Sequence, residues 1–321
     1  MSEHLPLVTI GAANFNNSRY VIESLESIKS QTYPNIELVI VDDASKDDSP
    51  ALIEEWLKTY DKPYRYIRHE KNGGLCRTCN DLITNANGKY ISLIGTDDLY
   101  VPDKIAKQVD LLEKDTLAGM VYTDTYLIDE NGKRKFGTLM TALLKCSFEY
   151  APSGDILKEL QQANFIHGLS MLIRKSVYDE IGGYDEALPF EDYDMNLRIA
   201  KRYKVIFMDD ILCLYRIHSQ SYSSKTKDWG TLQMPIFFKH IELPVFKEKA
   251  VWIILDNYRR GIPIAREWAI KYNSLTKEKF PYYVFVQKSR PVLFMTIDRK
   301  LRSMVRKILA VLRHYRQNSN E

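Results

Sequence analysis

No uninterrupted run of about eighteen apolar residues, the length a spanning helix needs, occurs in this 321-residue chain. No membrane-crossing helix is therefore expected. The opening Met-Ser-Glu-His-Leu-Pro has neither the charged nor the apolar region of a secretory leader, so the expectation is a cytoplasmic protein. Cysteine is scarce: Cys76, Cys79, Cys146 and Cys213 are too few and too scattered for a disulfide framework. Cys76 and Cys79 form a lone CxxC with no second pair or histidine cluster beside it. They read as buried free thiols on a helix rather than as a zinc or redox pair. Two phosphate-binding motifs are also missing. No GxGxxG follows the first strand-like run, which argues against a dinucleotide-binding Rossmann enzyme, and no GxxxxGK[ST] exists, which excludes a P-loop.

What is present is an alternation. Strand-like runs cover Leu7 to Ala12, Ile36 to Val41, Tyr64 to His69 and Tyr90 to Ile94. Helical spacing separates them: Val21, Leu25 and Ile28 in the first gap, then Pro50 to Tyr60, then Leu75 to Asn85. Strand and helix in turn predict a parallel, doubly wound α/β sheet. Polar groups cluster where the strands end: Asn14 to Asn16, Asp42 with Asp43, and Asp97 with Asp98. Open α/β folds place their ligands at that edge. The stretch Ile91 to Pro102 organises the rest. Gly95 breaks its strand, Asp97 and Asp98 follow, and a helix carrying Ile105, Val109 and Leu112 begins near Pro102. Adjacent carboxylates repel, and a divalent cation between them and a phosphate relieves the repulsion. A plain turn with an aspartate cap on the next helix is the alternative reading.

Taken together, eight stretches resemble the successive signatures of family 2 glycosyltransferases with the GT-A fold. They are Val8-Thr9-Ile10 with Phe15-Asn16, Gln31 to Glu37, Val41 to Asp47, Asn72-x-Gly74, Gly95 to Asp98 with Pro102-Asp103-Lys104, Gly182 to Glu186, Glu191 to Asp194, and Tyr215-Arg216-x-His218. The resemblance covers about residues 5 to 220 in the expected order and is of the bacterial polysaccharide-biosynthesis type. It implies a mostly parallel, Rossmann-like GT-A sheet with flanking helices, and an inverting transfer from a nucleotide-sugar, most often UDP-linked, to a glycan or lipid-linked glycan. By the resemblance, Asp43 contacts the base or ribose, with Asp42, Asn14, Asn16, Asn72 and Asp98 as further nucleotide-binding candidates. Asp97 matches the aspartate that ligates Mn²⁺ or Mg²⁺, and His218 is a second ligand candidate, better suited to Mn²⁺. Arg216 is a candidate for phosphate oxygens. Asp192 matches the general base, and Glu191 beside it is a positioning group. His167-Gly168 is a candidate for lining the sugar pocket. The sequence departs from the family at Gly95, where an aspartate is usual, and at Cys79, where an arginine is frequent. These departures keep a sugar- or nucleotide-binding module without turnover in view. A sugar nucleotidyltransferase is the other alternative, but its glycine-rich start is absent from Gly11-Ala12-Ala13-Asn14.

The domain expectation is a glycosyltransferase domain over 1–225, with a nucleotide-sugar half at 1–125 and an acceptor half at 126–225. A helical extension over 226–321 follows. From Pro291 to Arg316 the pattern is amphipathic, with Ile297, Leu301, Val305, Ile308 and Leu312 on one side and Arg299, Arg302, Arg306 and Arg313 on the other. Lys288 to Arg316 hold nine lysines and arginines against Asp298 alone, so the formal net charge of +3 hides a strongly basic tail. Such a face suits an anionic membrane surface, peripheral at the inner face of the plasma membrane; a helix docked on the domain with its basic face solvated is the alternative. No nucleic-acid-binding module accompanies the charge, and nucleic acid is not an expected partner.

Overall fold

Each short apolar run bounded by turn residues becomes a strand of one nine-stranded sheet. The computed structural model describes residues 5–144, 151–226 and 228–277. Its first half alternates as expected: β1 (Val8–Asn14), α1 (Val21–Lys29), β2 (Ile36–Asp42), α2 (Ser49–Leu57), β3 (Tyr64–Arg68), α3 (Leu75–Thr84) and β4 (Tyr90–Gly95). A two-residue β5 (Leu99–Tyr100) and α4 (Lys104–Lys114) follow. The second half comprises β6 (Ala118–Ile128), β7 (Arg134–Thr138), α5 (Leu157–Gln162), β8 (Leu172–Arg174), α6 (Lys175–Ile181), α7 (Asp192–Ala200) and β9 (Lys204–Arg216). The helices α8 (Tyr222–Lys225), α9 (Trp229–Lys239), α10 (Pro244–Arg259) and α11 (Ile264–Thr276) complete the described chain.

The strand order is β3-β2-β1-β4-β8-β6-β9-β5, with β7 paired to β6. The pairs β1–β2, β1–β4, β2–β3 and β6–β9 are parallel. The sheet turns mixed beyond β4, because β8 runs antiparallel to both β4 and β6. That reversal has a functional consequence, since it returns the chain from α5 to the carboxyl ends of the first four strands. β2 is buried along almost its whole length, as an internal strand covered on both faces must be. The helical spacing read from the sequence also carries through: Val21, Leu25 and Ile28 of α1 and Ile105, Val109 and Leu112 of α4 join one core cluster with Ile10, Leu38 and Tyr90.

The chain divides into two compact units between Ile236 and Phe237. In the second unit α10 and α11 pack on each other, burying Phe246, Ala250, Ile254, Ala265 and Ala269. No helix among the described residues is long and apolar enough to cross a membrane. Cys76, Cys79 and Cys213 are buried free thiols, while Cys146 and the amphipathic stretch Pro291 to Arg316 lie outside the described residues.

Lys104 binds α4 to the sheet from inside the core. Its ammonium has no exposure and donates to Ser92 Oγ at 2.8 Å, Gln108 Oε1 at 2.7 Å and the Met171 carbonyl at 3.3 Å. All three protons are thereby placed without a counter-ion, and burial pushes the amine down to about 8. Between that value and the ordinary lysine pKa of about 10.4, the unfolded chain holds a proton that the folded chain has released. Stability from this residue therefore rises with pH across that window. Raising the pH from 8 to 10 is expected to favour the native chain over a Lys104→Met variant by about 1–3 kcal/mol. Urea unfolding of both proteins at each pH measures the difference, and a pH-independent difference contradicts a depressed lysine.

Candidate active site

The carboxyl ends of β1, β2 and β4 are joined by one buried polar network. Asn14 Nδ2 donates to Asp42 Oδ2 at 2.6 Å and to Ser45 Oγ at 3.2 Å, while its carbonyl oxygen accepts from Thr96 Oγ1 at 2.6 Å. Asp42 Oδ1 accepts the Ser45 backbone N–H at 3.0 Å. Asn14 and Asp42 are essentially unexposed and spend their polar atoms on one another. Both were expected to contact a nucleotide; here their side chains tie the ends of β1, β2 and β4 together. Asn16, by contrast, is exposed and adopts a left-handed backbone (φ 54°), which asparagine tolerates. Its side-chain oxygen takes the Lys46 N–H at 2.8 Å.

Asp43 anchors the neighbouring loop. Its two oxygens accept the backbone N–H groups of Gly73 (2.7 Å) and Gly74 (2.9 Å), and Asn72 Nδ2 reaches its carbonyl at 3.3 Å. Gly74 is needed there because its φ is +87°, a region that side chains disfavour. His69, which showed no partner in the sequence, lies between two carboxylates: Nδ1 is 2.8 Å from Asp43 and Nε2 is 2.8 Å from Asp81. The signal was its position one residue past β3, where the parallel register sets Arg68 beside Asp42.

The second acidic pair divides inside from outside. Asp98 is buried and accepts the Arg216 backbone N–H at 2.8 Å. Burial, then the charge of Asp97, push its carboxyl well above the usual range, against the pull of Arg216. Asp98, expected among the nucleotide contacts, is thus tied to the end of β9 by this bond. Arg216, expected at phosphate oxygens, lies against the same loop. It is 1% exposed, and its guanidinium donates to the Asp97 carbonyl (2.8 Å), the Asp129 carbonyl (3.3 Å) and Glu23 (2.7 Å). It ties the Asp97 loop to Asp129 and Glu23. Asp97 turns outward, and its Oδ2 lies 3.0 Å from His218 Nε2. A Cβ at Gly95 would fall 2.7 Å from Asp97 Oδ1, so this carboxylate occupies the space that a side chain at 95 needs.

The start of α7 carries the other acidic pair, Glu191 and Asp192. Asp192 Oδ1 accepts from Asn164 Nδ2 at 3.0 Å, and Gly168 approaches Glu191 closely, with space for a Cβ only 3.3 Å from its Oε1. Burial raises the Glu191 carboxyl. Burial and the charge of Glu191 raise Asp192 well above the usual carboxylate range, opposed by the Tyr193 N–H and Asn164. A base for an alcohol gains from that rise. Burial, then the charges of Asp98, Asp97 and Asp192, raise the Tyr215 phenol, which is held by Ser223 at 2.6 Å. Asn80, next to the buried Cys79, fastens the loop before α7 by accepting the Tyr184 N–H (2.7 Å) and donating to its carbonyl (2.9 Å). Arg77 lies along α3, 4.0 Å from Asp81.

Asp97 and His218 offer a carboxylate oxygen and an imidazole nitrogen side by side, a donor set that fits Mn²⁺ with phosphate oxygens and water completing the shell. Among the described residues no group of three or more acidic, histidine or cysteine side chains is placed to hold a metal by protein alone.

The family model for glycosyl transferase family 2 matches residues 9–182, more than half of the chain. The chain belongs to that family. This family 2 chain is 36% identical over 224 residues to an uncharacterized glycosyltransferase of Rickettsia felis, covering 69% of this chain and 36% of that protein. Against an uncharacterized glycosyltransferase of Methanocaldococcus jannaschii it is 29% identical over 230 residues, covering 69% and 75%. It spans about a third of the length of three Rickettsia relatives. Two solved structures share its GT-A fold. The mannosyltransferase PcManGT of Pyrobaculum calidifontis, in complex with GDP-Man and Mn²⁺, has a TM-score of 0.61 at 19% identity over 85% of this chain and 76% of that one. TarS 1-349 of S. aureus, in complex with UDP-GlcNAc, has 0.59 at 16% identity over 88% and 76%.

Removing the Arg216 side chain leaves Asp98 buried without its nearest cation and two carbonyls without donors. Arg216→Met is expected to cost about 3–5 kcal/mol, the range for breaking a buried charged network. Urea denaturation measures it, and a loss below about 1 kcal/mol marks the network as dispensable to the fold.

Proposed function

We propose that this family 2 glycosyltransferase moves a sugar, with inversion, from a nucleotide-sugar donor, UDP-linked by preference, to a hydroxyl of a glycan or lipid-linked glycan. One observation carries the reading: a partly exposed carboxylate bonded to a histidine, Asp97 with His218, and a second carboxylate pair raised by burial, Glu191 with Asp192, bear on the same Tyr215 phenol. The nucleotide-sugars named with PcManGT and TarS support a donor of this class.

On this reading the loops at Asn16, Asp43 and Asn72 border the nucleotide, and Asp97 with His218 would hold Mn²⁺ or Mg²⁺ against the diphosphate. The ion's chemistry is to offset negative charge on the departing diphosphate. Asp192 accepts the proton of the acceptor hydroxyl. The acceptor oxygen forms its bond to the anomeric carbon as the opposite bond breaks, and the nucleoside diphosphate leaves with the electron pair. Glu191 holds Asp192 basic through its charge. The logic parallels inverting glycosidases, in which a carboxylate activates the nucleophile across the sugar face.

The two centres are expected to separate by mutation. Asp97→Ala is expected to abolish the metal-dependent part of nucleoside diphosphate affinity, read by titration calorimetry with and without Mn²⁺. Asp192→Asn is expected to keep that affinity and lose about 10²–10⁴-fold in transfer. Because the base must be ionised, activity falls as pH drops through the raised Asp192 value. Glu191→Gln removes a negative neighbour and moves this acid limb to lower pH. Unchanged calorimetry for Asp97→Ala, or an acid limb that stays in place for Glu191→Gln, contradicts the assignment.

We further propose that the basic stretch from Pro291 to Arg316 rests on anionic lipid, each basic side chain near the surface contributing about 1 kcal/mol. Co-sedimentation with anionic vesicles is expected to weaken with salt and to vanish on truncation before Pro291. Equal sedimentation of the truncated chain contradicts it.

A further inference from the structure

His167 belongs to neither acidic centre, yet the chain delivers it to the space between them. Tyr90 of β4 is opposite Arg174 of β8, and Ile91 is opposite Ile173. Continued in the same direction, this antiparallel register carries the residues before β8 toward the loop after β4, and so brings His167 toward Asp97. The Ser92 hydroxyl donates to the Met171 carbonyl at 2.8 Å, and the Cys213 thiol to the Leu169 carbonyl at 3.4 Å, which keeps the returning turn against the sheet. On the other side, Gly168 lies against Glu191. The imidazole stands edge-on to Tyr215, with ring centroids 4.7 Å apart and planes at 67°.

The ring's tautomer follows from its contacts. Nδ1 faces the Leu169 backbone N–H at 3.4 Å and therefore accepts. In a neutral imidazole the proton is then on Nε2. We propose that His167 is the sugar-reading residue of this site, its Nε2–H donating to an oxygen of the transferred sugar while the ring packs against Tyr215. This deepens the proposed glycosyl transfer and rests on it. Burial pushes the imidazole down to about 4, against the nearby charge of Asp97, so its donor pattern is constant at neutral pH. A hydroxyl or acyl oxygen of a sugar is the matching acceptor. The diphosphate and base lie toward Asp97 and Asp43, beyond this residue's reach on the proposed reading.

The test compares nucleoside diphosphates with nucleotide-sugars. UDP, GDP, UDP-GlcNAc and GDP-mannose are titrated with Mn²⁺ into the full chain and into His167→Phe and His167→Gln, and the ratio of sugar-nucleotide to nucleoside diphosphate affinity is read for each. Phenylalanine keeps the aromatic edge and removes the donor. It is expected to lower that ratio about 5–10-fold, the size of one net hydrogen bond, with nucleoside diphosphate affinity unchanged. Glutamine retains an N–H and is expected to restore part of the ratio. An unchanged ratio in His167→Phe overturns the proposal. So does an equal loss for both ligand kinds in both variants, which marks a structural residue. If the native chain itself binds none of the four ligands, the glycosyl-transfer reading fails first, and this proposal falls with it.

Discussion

Asn14 is the residue on which the site depends. Three parallel strands end side by side, and their last polar groups face neither another strand turn nor water. A buried polar group without a partner costs about 1–3 kcal/mol, so the strand ends are stable together only if they satisfy one another. Asn14 does this by donating to Asp42 and Ser45 on the β2 side and accepting from Thr96 on the β4 side. The loops that carry Asp43 and Asp97 rise from that tied floor. Their carboxylates are therefore fixed by the sheet's edge and not by their own flexible connections.

The same demand explains how the acidic pairs are divided. Asp42 is spent on the floor, and Asp43 on the Gly73–Gly74 turn and His69. Asp98 is spent on the Arg216 backbone, which leaves Asp97 to turn outward beside His218. Gly95 contributes by its lack of a side chain, because the Asp97 carboxylate needs that volume. At α7 the balance is reversed. Glu191 and Asp192 are adjacent; burial raises Glu191, and burial followed by the charge of Glu191 raises Asp192. One site therefore holds a carboxylate committed to a histidine and another kept basic.

The fold was largely legible because its signals are local. Alternating apolar runs and the spacing of Val21, Leu25 and Ile28, or of Ile105, Val109 and Leu112, report which face of each element is buried, and the core uses those same residues. Ordered motifs likewise located Asp97, His218, Glu191 and Asp192, and the structure places the first two within 3.0 Å of each other. The sheet's change to mixed pairing at β8 was not legible, since strand direction depends on where a three-residue strand finds a partner.

The sequence by itself determined the family, the order of strands and helices, and which residue types stand at the strand ends. The tertiary structure alone decided which of those residues are buried in bonds to one another and which stay partly exposed. Asp97 and Asp98 are neighbours of the same chemistry, and nothing in their spacing separates them. They are distinguished by Arg216, which is 118 residues from Asp98 along the chain yet bonded to it in the fold. His69 and Asp43 are 26 residues apart and also meet only at the sheet's edge. Contacts of that kind are set by packing, because a polar group's role depends on which other groups burial forces beside it.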